Sequence, residues 1–206
     1  RPQTLCEAAG VEYSWLRTVV RAGFQSRRKT LINSLKLATT MPADPAVLAA
    51  ALELAPRLVG RHRLGMAFHS LRAVKEASFA PVIDTLEKIS LQAPIHIHIA
   101  EQTKEVDASV EYSGKRPIEW LLANQSIDER WCLVHATHLV EEEWRGVAES
   151  GAVVGLCPTT EANLGDGLFP LPEYLKYSGK WGVGSDSHIS IDTREELRVL
   201  EYVQRL

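Results

Sequence analysis

An α/β fold with a parallel sheet, of the (β/α)8 TIM-barrel kind, is predicted by three observations. Short apolar runs alternate with helical stretches five times along the chain, as in strands joined by crossover helices. The runs are apolar at consecutive positions, the signature of strands covered on both faces. Histidines and acids fall at the C-terminal ends of these runs, where such a barrel gathers its site from several strands. A doubly wound open sheet would also bind ligands there, but it usually carries a Gly-rich phosphate loop, and none is present.

The expected strands are 64–68, 95–100, 131–135, 152–157 and 181–185. Helical patterns follow at 79–90, 105–112, 117–124, 140–150, 171–177 and 193–205. Pro117 suits a first helical turn, and Gly151 suits a C-cap. Upstream, 45–58 reads as a helix with Asp44 as N-cap, and 11–20 as a strand. Residues 21–43 show no clear periodicity, and there is no internal repeat.

Bulk properties narrow the function. The chain has 206 residues, a formal net charge of −3 and a pI near 6.2, so it lacks the basic footprint of a nucleic-acid binder. The run Arg27-Arg28-Lys29 is too short to change that and reads as a solvated loop. No segment has the roughly 20 apolar residues of a membrane span. Cys6, Cys132 and Cys157 are odd in number and widely spaced, which reads as reduced thiols in a cytoplasmic protein. The abrupt start at Arg1-Pro2-Gln3 and the helical pattern still running at Leu206 suggest an internal piece of a longer protein.

Three segments carry chemistry. Pro-Ile-His-Ile-His-Ile-Ala-Glu-Gln runs from Pro94 to Gln102, Leu-Val-His-Ala-Thr-His from Leu133 to His138, and Gly-Val-Gly-Ser-Asp-Ser-His from Gly182 to His188. In a strand His96 and His98 share a face, and Glu101 follows at its end. Imidazole and carboxylate are ligands for zinc and related divalent ions, which lower the pKa of a bound water to about 7. His98 and Asp186 are then candidate ligands, Glu101 the proton shuttle, and His135 a hydrogen-bonding partner of the nucleophile. Any one of these histidines alone would read as a core residue, but the three-part set reads as a site. His96 reads as support, His138 and His188 as residues just past their strands, and Asp166 as a turn residue.

The order His-x-Ala-Glu, Val-His, Gly-Ser-Asp resembles the amidohydrolase superfamily of metal-dependent barrel hydrolases. Within it the segments 96–102, 131–138, 155–167 and 184–188 resemble the formimidoylglutamate deiminases. The resemblance runs nearly continuously from Leu64 to Leu206, and the run Cys-Pro-Thr-Thr-Glu-Ala-Asn-Leu-Gly-Asp is its most specific part. It implies deimination of N-formimidoyl-L-glutamate to N-formyl-L-glutamate and ammonia, a step of histidine degradation. It implies one zinc ion held by His98 and Asp186, with Glu101, His135 and Asp186 catalytic. His69 and Arg72, in His69-Ser70-Leu71-Arg72, would bind a substrate bearing glutamate carboxylates, for which an arginine fork is the natural partner.

The superfamily's first strand supplies a His-x-His pair of ligands, and this chain has none upstream of the match. The expectation is therefore a single partial barrel over 1–206, with strands four to eight clear, the first strand absent and residues 1–43 a poorly matching segment. Two alternatives stand beside it: a guanine- or triazine-like ring deaminase, and a non-catalytic barrel fragment lacking the His-x-His ligands. The expected partner is a small molecule, without nucleic acid or membrane; a homodimer is left open.

Overall fold

The computed structural model describes residues 64–187 and 190–206. The expected helix at 45–58, the expected strand at 11–20 and His188 lie outside the described residues. The chain divides into two compact units. One joins residues 1–64 to residues 73–89, and its described part is a single 3-10 turn, Glu76–Ser78, followed by helix α1, Phe79–Ile89. Phe79, Val82 and Leu86 are buried at three- and four-residue spacing, as an amphipathic helix requires.

The other unit, residues 65–72 and 90–206, holds the sheet. Its strands are β1, Met66–Phe68, β2, Ile95–Ile99, β3, Trp131–His135, β4, Val153–Leu156, and β5, Lys180–Val183. They lie in the order β1-β2-β3-β4-β5, and every neighbouring pair is parallel. A doubly wound sheet reverses direction at a switch point; this one does not, so its winding is that of a barrel. The connecting helices are α2, Thr103–Ser113, α3, Pro117–Asn124, α4, Glu141–Ser150, α5, Pro158–Leu164, α6, Leu171–Leu175, and α7, Thr193–Val203. No helix among the described residues is long and apolar enough to cross a membrane.

Strands fall where the apolar runs predict them, shortened or shifted by one to two residues at their ends. The structure differs at α5, which the sequence reading leaves without an element. Its buried residues are Pro158, Thr159, Thr160 and Glu161, so no apolar periodicity marks it.

Burial of the sheet is unequal between faces. Ile95, Ile97 and Ile99 of β2 are wholly buried, as are Leu133, Val154 and Leu156 in the neighbouring strands. On the opposite face His96 is exposed, while His98, Cys132 and Val134 are half-buried. Val106, Ile118, Leu121, Val147 and Leu200 supply the helical part of the core. Gly151 caps α4 in the left-handed conformation at φ 79°, as predicted.

Past β3 the chain is pinned by the buried Glu143 carboxylate. It accepts the backbone N–H groups of Val140 and Glu119 and the Nε–H of Arg116 at 3.0–3.2 Å, and Arg116 also donates to the His138 carbonyl. At the other end of the sheet Tyr174 is fully buried, its hydroxyl donating to the Lys180 carbonyl at 3.3 Å, and burial pushes its phenol up to about 12.

A Cβ added at Gly179 would overlap the Tyr174 ring, which has no free space to retreat into. Gly179→Ala is therefore expected to destabilise the fold by about 1–3 kcal/mol, the cost of overpacking. Urea unfolding checks this, and an unchanged midpoint would contradict it.

Candidate active site

At or beyond the ends of β2, β3 and β5 the backbone changes direction abruptly. Ala100, His135, Ala136 and Asp186 adopt positive φ of 51°, 69°, 50° and 46°. Non-glycine residues rarely enter this region, and they persist there only when surrounding bonds hold them. Here the bonds run across the sheet: Ala136 N–H donates to Ile99 O at 3.0 Å, His138 N–H to Ala100 O at 3.1 Å and Gly184 N–H to Leu156 O at 2.9 Å. The turns bring side chains from β1, β2, β3 and β5 to one end of the sheet.

Three imidazoles form a row there. The rings of His69 and His98 are 5.4 Å apart, and those of His98 and His135 are 5.6 Å apart. His98 Nδ1 lies 2.8 Å from the His69 carbonyl oxygen, which can only accept, so Nδ1 carries the proton and Nε2 offers its lone pair. His135 is fully buried, with Nδ1 3.2 Å from Glu161 Oε1. Its Nε2 faces two carboxylates, Glu101 Oε1 at 3.8 Å and Asp186 Oδ2 at 4.0 Å. The sequence-predicted Glu101, His135 and Asp186 are thus brought together, with the tilted His98 ring beside them.

Arg72 stands at the rim, 45% exposed, with Nη2 3.7 Å from both Glu101 Oε2 and Glu105 Oε2. Pairs this long at an exposed guanidinium hold it weakly, which leaves it available to another anion. His69 sits next to it and shares Nδ1 with the Ser70 hydroxyl at 3.1 Å.

Two acids that build this end are missed by sequence reasoning. Glu161 accepts both His135 Nδ1–H and the Cys157 N–H, and Glu105 accepts the Glu101 N–H at 3.0 Å. The only signal for Glu105 is its place in the first turn of α2, where a carboxylate reaches back to free N–H groups. His138 and Asp166 serve the scaffold: His138 Nε2–H donates to Asp166 O at 2.6 Å, and Gln102 Nε2–H to Asp166 Oδ1 at 2.7 Å. His96, on the same face as His98, is exposed.

Electrostatics separates the groups by task. Burial raises Glu101 above the usual carboxylate range, with His135 opposing and Asp166 adding to the rise. Burial alone would lower His135. The hydrogen bond to Glu161 and the charges of Glu101, Glu161 and Asp186 outweigh it and hold the ring above its ordinary value. His69 is lowered, chiefly by burial, then by His98 and Arg72.

One donor atom from each of His135, Cys157 and Glu161 lies within 4.8 Å of the others, a possible metal-holding group. However, Nδ1–H is already committed to Glu161, and burial holds the Cys157 thiol protonated. The open donors are the Nε2 atoms of His98 and His135 with the carboxylates of Glu101 and Asp186. This nitrogen–oxygen set suits a borderline divalent ion such as zinc.

The model of the amidohydrolase family matches residues 60–205. This chain belongs to the amidohydrolase family. Formimidoylglutamate deiminase of Pseudomonas aeruginosa is 53% identical over 152 residues, 74% of this chain and 33% of that protein. A 5-methylthioadenosine/S-adenosylhomocysteine deaminase of Natronomonas pharaonis is 32% identical over 162 residues, covering 77% and 37%. Among solved structures, an amidohydrolase from Brucella melitensis is 47% identical with a TM-score of 0.70, covering 77% of this chain and 35% of that one. An adenosine deaminase from Xanthomonas campestris with bound zinc is 27% identical with a TM-score of 0.71, covering 79% and 38%. The chain thus spans between 33% and 38% of the length of these relatives. They bear out the barrel-type α/β fold, and the amidohydrolase family is metal-dependent.

The raised His135 value has a sign that can be measured in metal-free protein. Protonation of the folded state contributes stability in full below the ordinary value of 6.5 and is lost as pH rises through the folded value. His135→Asn is expected to cost more stability below pH 6.5 than well above it, by urea unfolding with chelator present. A cost that grew with pH would contradict this.

Proposed function

We propose that this chain carries the proton-transfer groups of a zinc-dependent hydrolase that converts N-formimidoyl-L-glutamate and water to N-formyl-L-glutamate and ammonia, a step of histidine degradation. The observation that carries the reading is the convergence of Glu101 and Asp186 on His135 Nε2, with the weakly held Arg72 at the rim. The similarity to the Pseudomonas aeruginosa deiminase supports it.

His98 through Nε2 and Asp186 through its carboxylate would hold the zinc ion. When bound, the ion supplies Lewis acidity that makes water a nucleophile near neutral pH. Glu101 takes the proton of the attacking water and passes it to the departing nitrogen. Burial raises this carboxyl, which favours its taking a proton and returning it. Asp186 orients the water, and His135 Nε2 hydrogen-bonds the oxygen as it adds to the amidine carbon. That carbon gains a C–O bond and loses its bond to the terminal nitrogen, which takes both protons of the water and leaves as ammonia, while the bond to the glutamate nitrogen stays. Arg72 pairs with a glutamate carboxylate, and His69, kept neutral by burial, contacts the substrate beside it. A reducing cytoplasm is consistent with the free thiols of Cys132 and Cys157.

Protein containing this chain is expected to release ammonia from N-formimidoyl-L-glutamate in the presence of zinc and to lose that activity on chelation. A coupled ammonia assay measures it, and no release from zinc-loaded protein would sink the reading. Adenine-ring deaminases are also among the relatives, and Arg72 separates the two substrate classes. A ring needs stacking, whereas a glutamyl tail needs a cation. Arg72→Met should raise KM roughly 10- to 200-fold, the loss of a charge-assisted pair of about 1.5–3 kcal/mol. Unimpaired turnover by that variant would instead favour the ring substrate.

A further inference from the structure

Three consecutive side chains of α5 each reach a different element. Thr159 donates through its N–H and hydroxyl to Glu196 in α7. Thr160 donates its hydroxyl to the carbonyl of Ser185, next to Asp186, at 2.9 Å. Glu161 turns toward β3, where Oε1 accepts the Cys157 N–H at 2.8 Å and His135 Nδ1–H at 3.2 Å. The His135 and Glu161 side chains are only 1% and 5% exposed, so water does not compete for these bonds.

His135 has two nitrogens and two sets of anionic neighbours. Glu161 lies on the Nδ1 side, and Glu101 with Asp186 on the Nε2 side. A neutral imidazole has one ring proton, and either side could attract it. The contact on the Nδ1 side is a hydrogen bond, whereas those on the Nε2 side are 3.8 and 4.0 Å and too long to be one. The short bond decides where the proton stays.

We propose that Glu161 is a positioning residue that keeps a proton on His135 Nδ1 and fixes the ring plane, so that Nε2 is the nitrogen turned toward Glu101 and Asp186. Glu161 does not touch the reacting atoms; it acts through the ring. By the same turn of helix, Thr160 sets the Ser185 carbonyl and with it the approach of Asp186. One short helix therefore aligns two groups of the site from behind.

The kinetic arm of the test rests on the deiminase reading, and the spectroscopic arm does not. Ring-nitrogen 15N shifts of His135 in the labelled chain should show the neutral ring protonated at Nδ1. In Glu161→Leu the proton should move to Nε2, drawn by the remaining carboxylates. Glu161→Gln keeps an oxygen able to accept both N–H groups, so Nδ1–H should persist there even if the leucine variant does not fold. With formimidoylglutamate as substrate, Glu161→Leu should lose roughly 10- to 100-fold in kcat with KM nearly unchanged, the usual range for a group that orients a catalytic or ligating histidine, and Glu161→Gln should recover much of that loss. A wild-type neutral ring protonated at Nε2 would overturn the proposal, as would an Nδ1 proton that survives in folded Glu161→Leu. If wild-type protein releases no ammonia while the 15N pattern holds, the substrate assignment fails and the role of Glu161 stands.

Discussion

The parallel pairing of β2 with β3 is the constraint on which the rest of the site depends. Its register sets Ile97 against Leu133 and Ile99 against His135. Wholly buried Ile97 and Leu133 lock that register, because a one-residue slip would turn an apolar face toward water. The ladder then continues past the last paired residues. Ile99 O accepts Ala136 N–H, and Ala100 O accepts His138 N–H. These bonds hold Ala100, His135 and Ala136 in left-handed backbone, each unfavourable by roughly 1–3 kcal/mol if unsupported. Backbone strain lies where the groups of the candidate site converge, and apolar packing behind it supplies the support.

Charge is arranged around one ring. His135 is buried among Glu101, Glu161 and Asp186, and this surplus of negative charge is what a divalent ion would neutralise. The same carboxylates hold His135 above its ordinary value against the opposing effect of burial, whereas Glu101 is raised chiefly by burial itself. Arg72 pairs with Glu101 and Glu105, and it is too exposed and too distant to balance the cluster alone. The arrangement is more readily understood as a receptor for a cation and a polar substrate than as a self-sufficient hydrogen-bond network.

Much of this was legible in the sequence because it rests on apolar runs. Strand positions follow from consecutive Ile, Leu and Val residues, and strand order from their alternation with helices. His98, Glu101, His135 and Asp186 stand out because polar groups at strand ends interrupt that pattern. Strand parity alone could not tell His98 from His96; the difference lies in the His69 carbonyl, contributed by a segment 29 residues away. Glu161 was hidden for another reason. It sits in a short helix whose buried residues are polar, and a buried Thr-Thr-Glu looks like a loop until its partners are known. Asp166 and His138 likewise reveal their scaffold role only through each other.

The monotonic strand order bears on how the molecule can come into being. Each strand pairs with the one made just before it, so the sheet can extend in the direction of synthesis without waiting for distant segments. Asp186 follows the last of the described strands, and the Thr160 tether to Ser185 forms only after that strand has docked. Maturation of the site is therefore tied to completion of β5. A chain arrested before that strand would carry the His98–His135 pair yet lack the carboxylate that faces it.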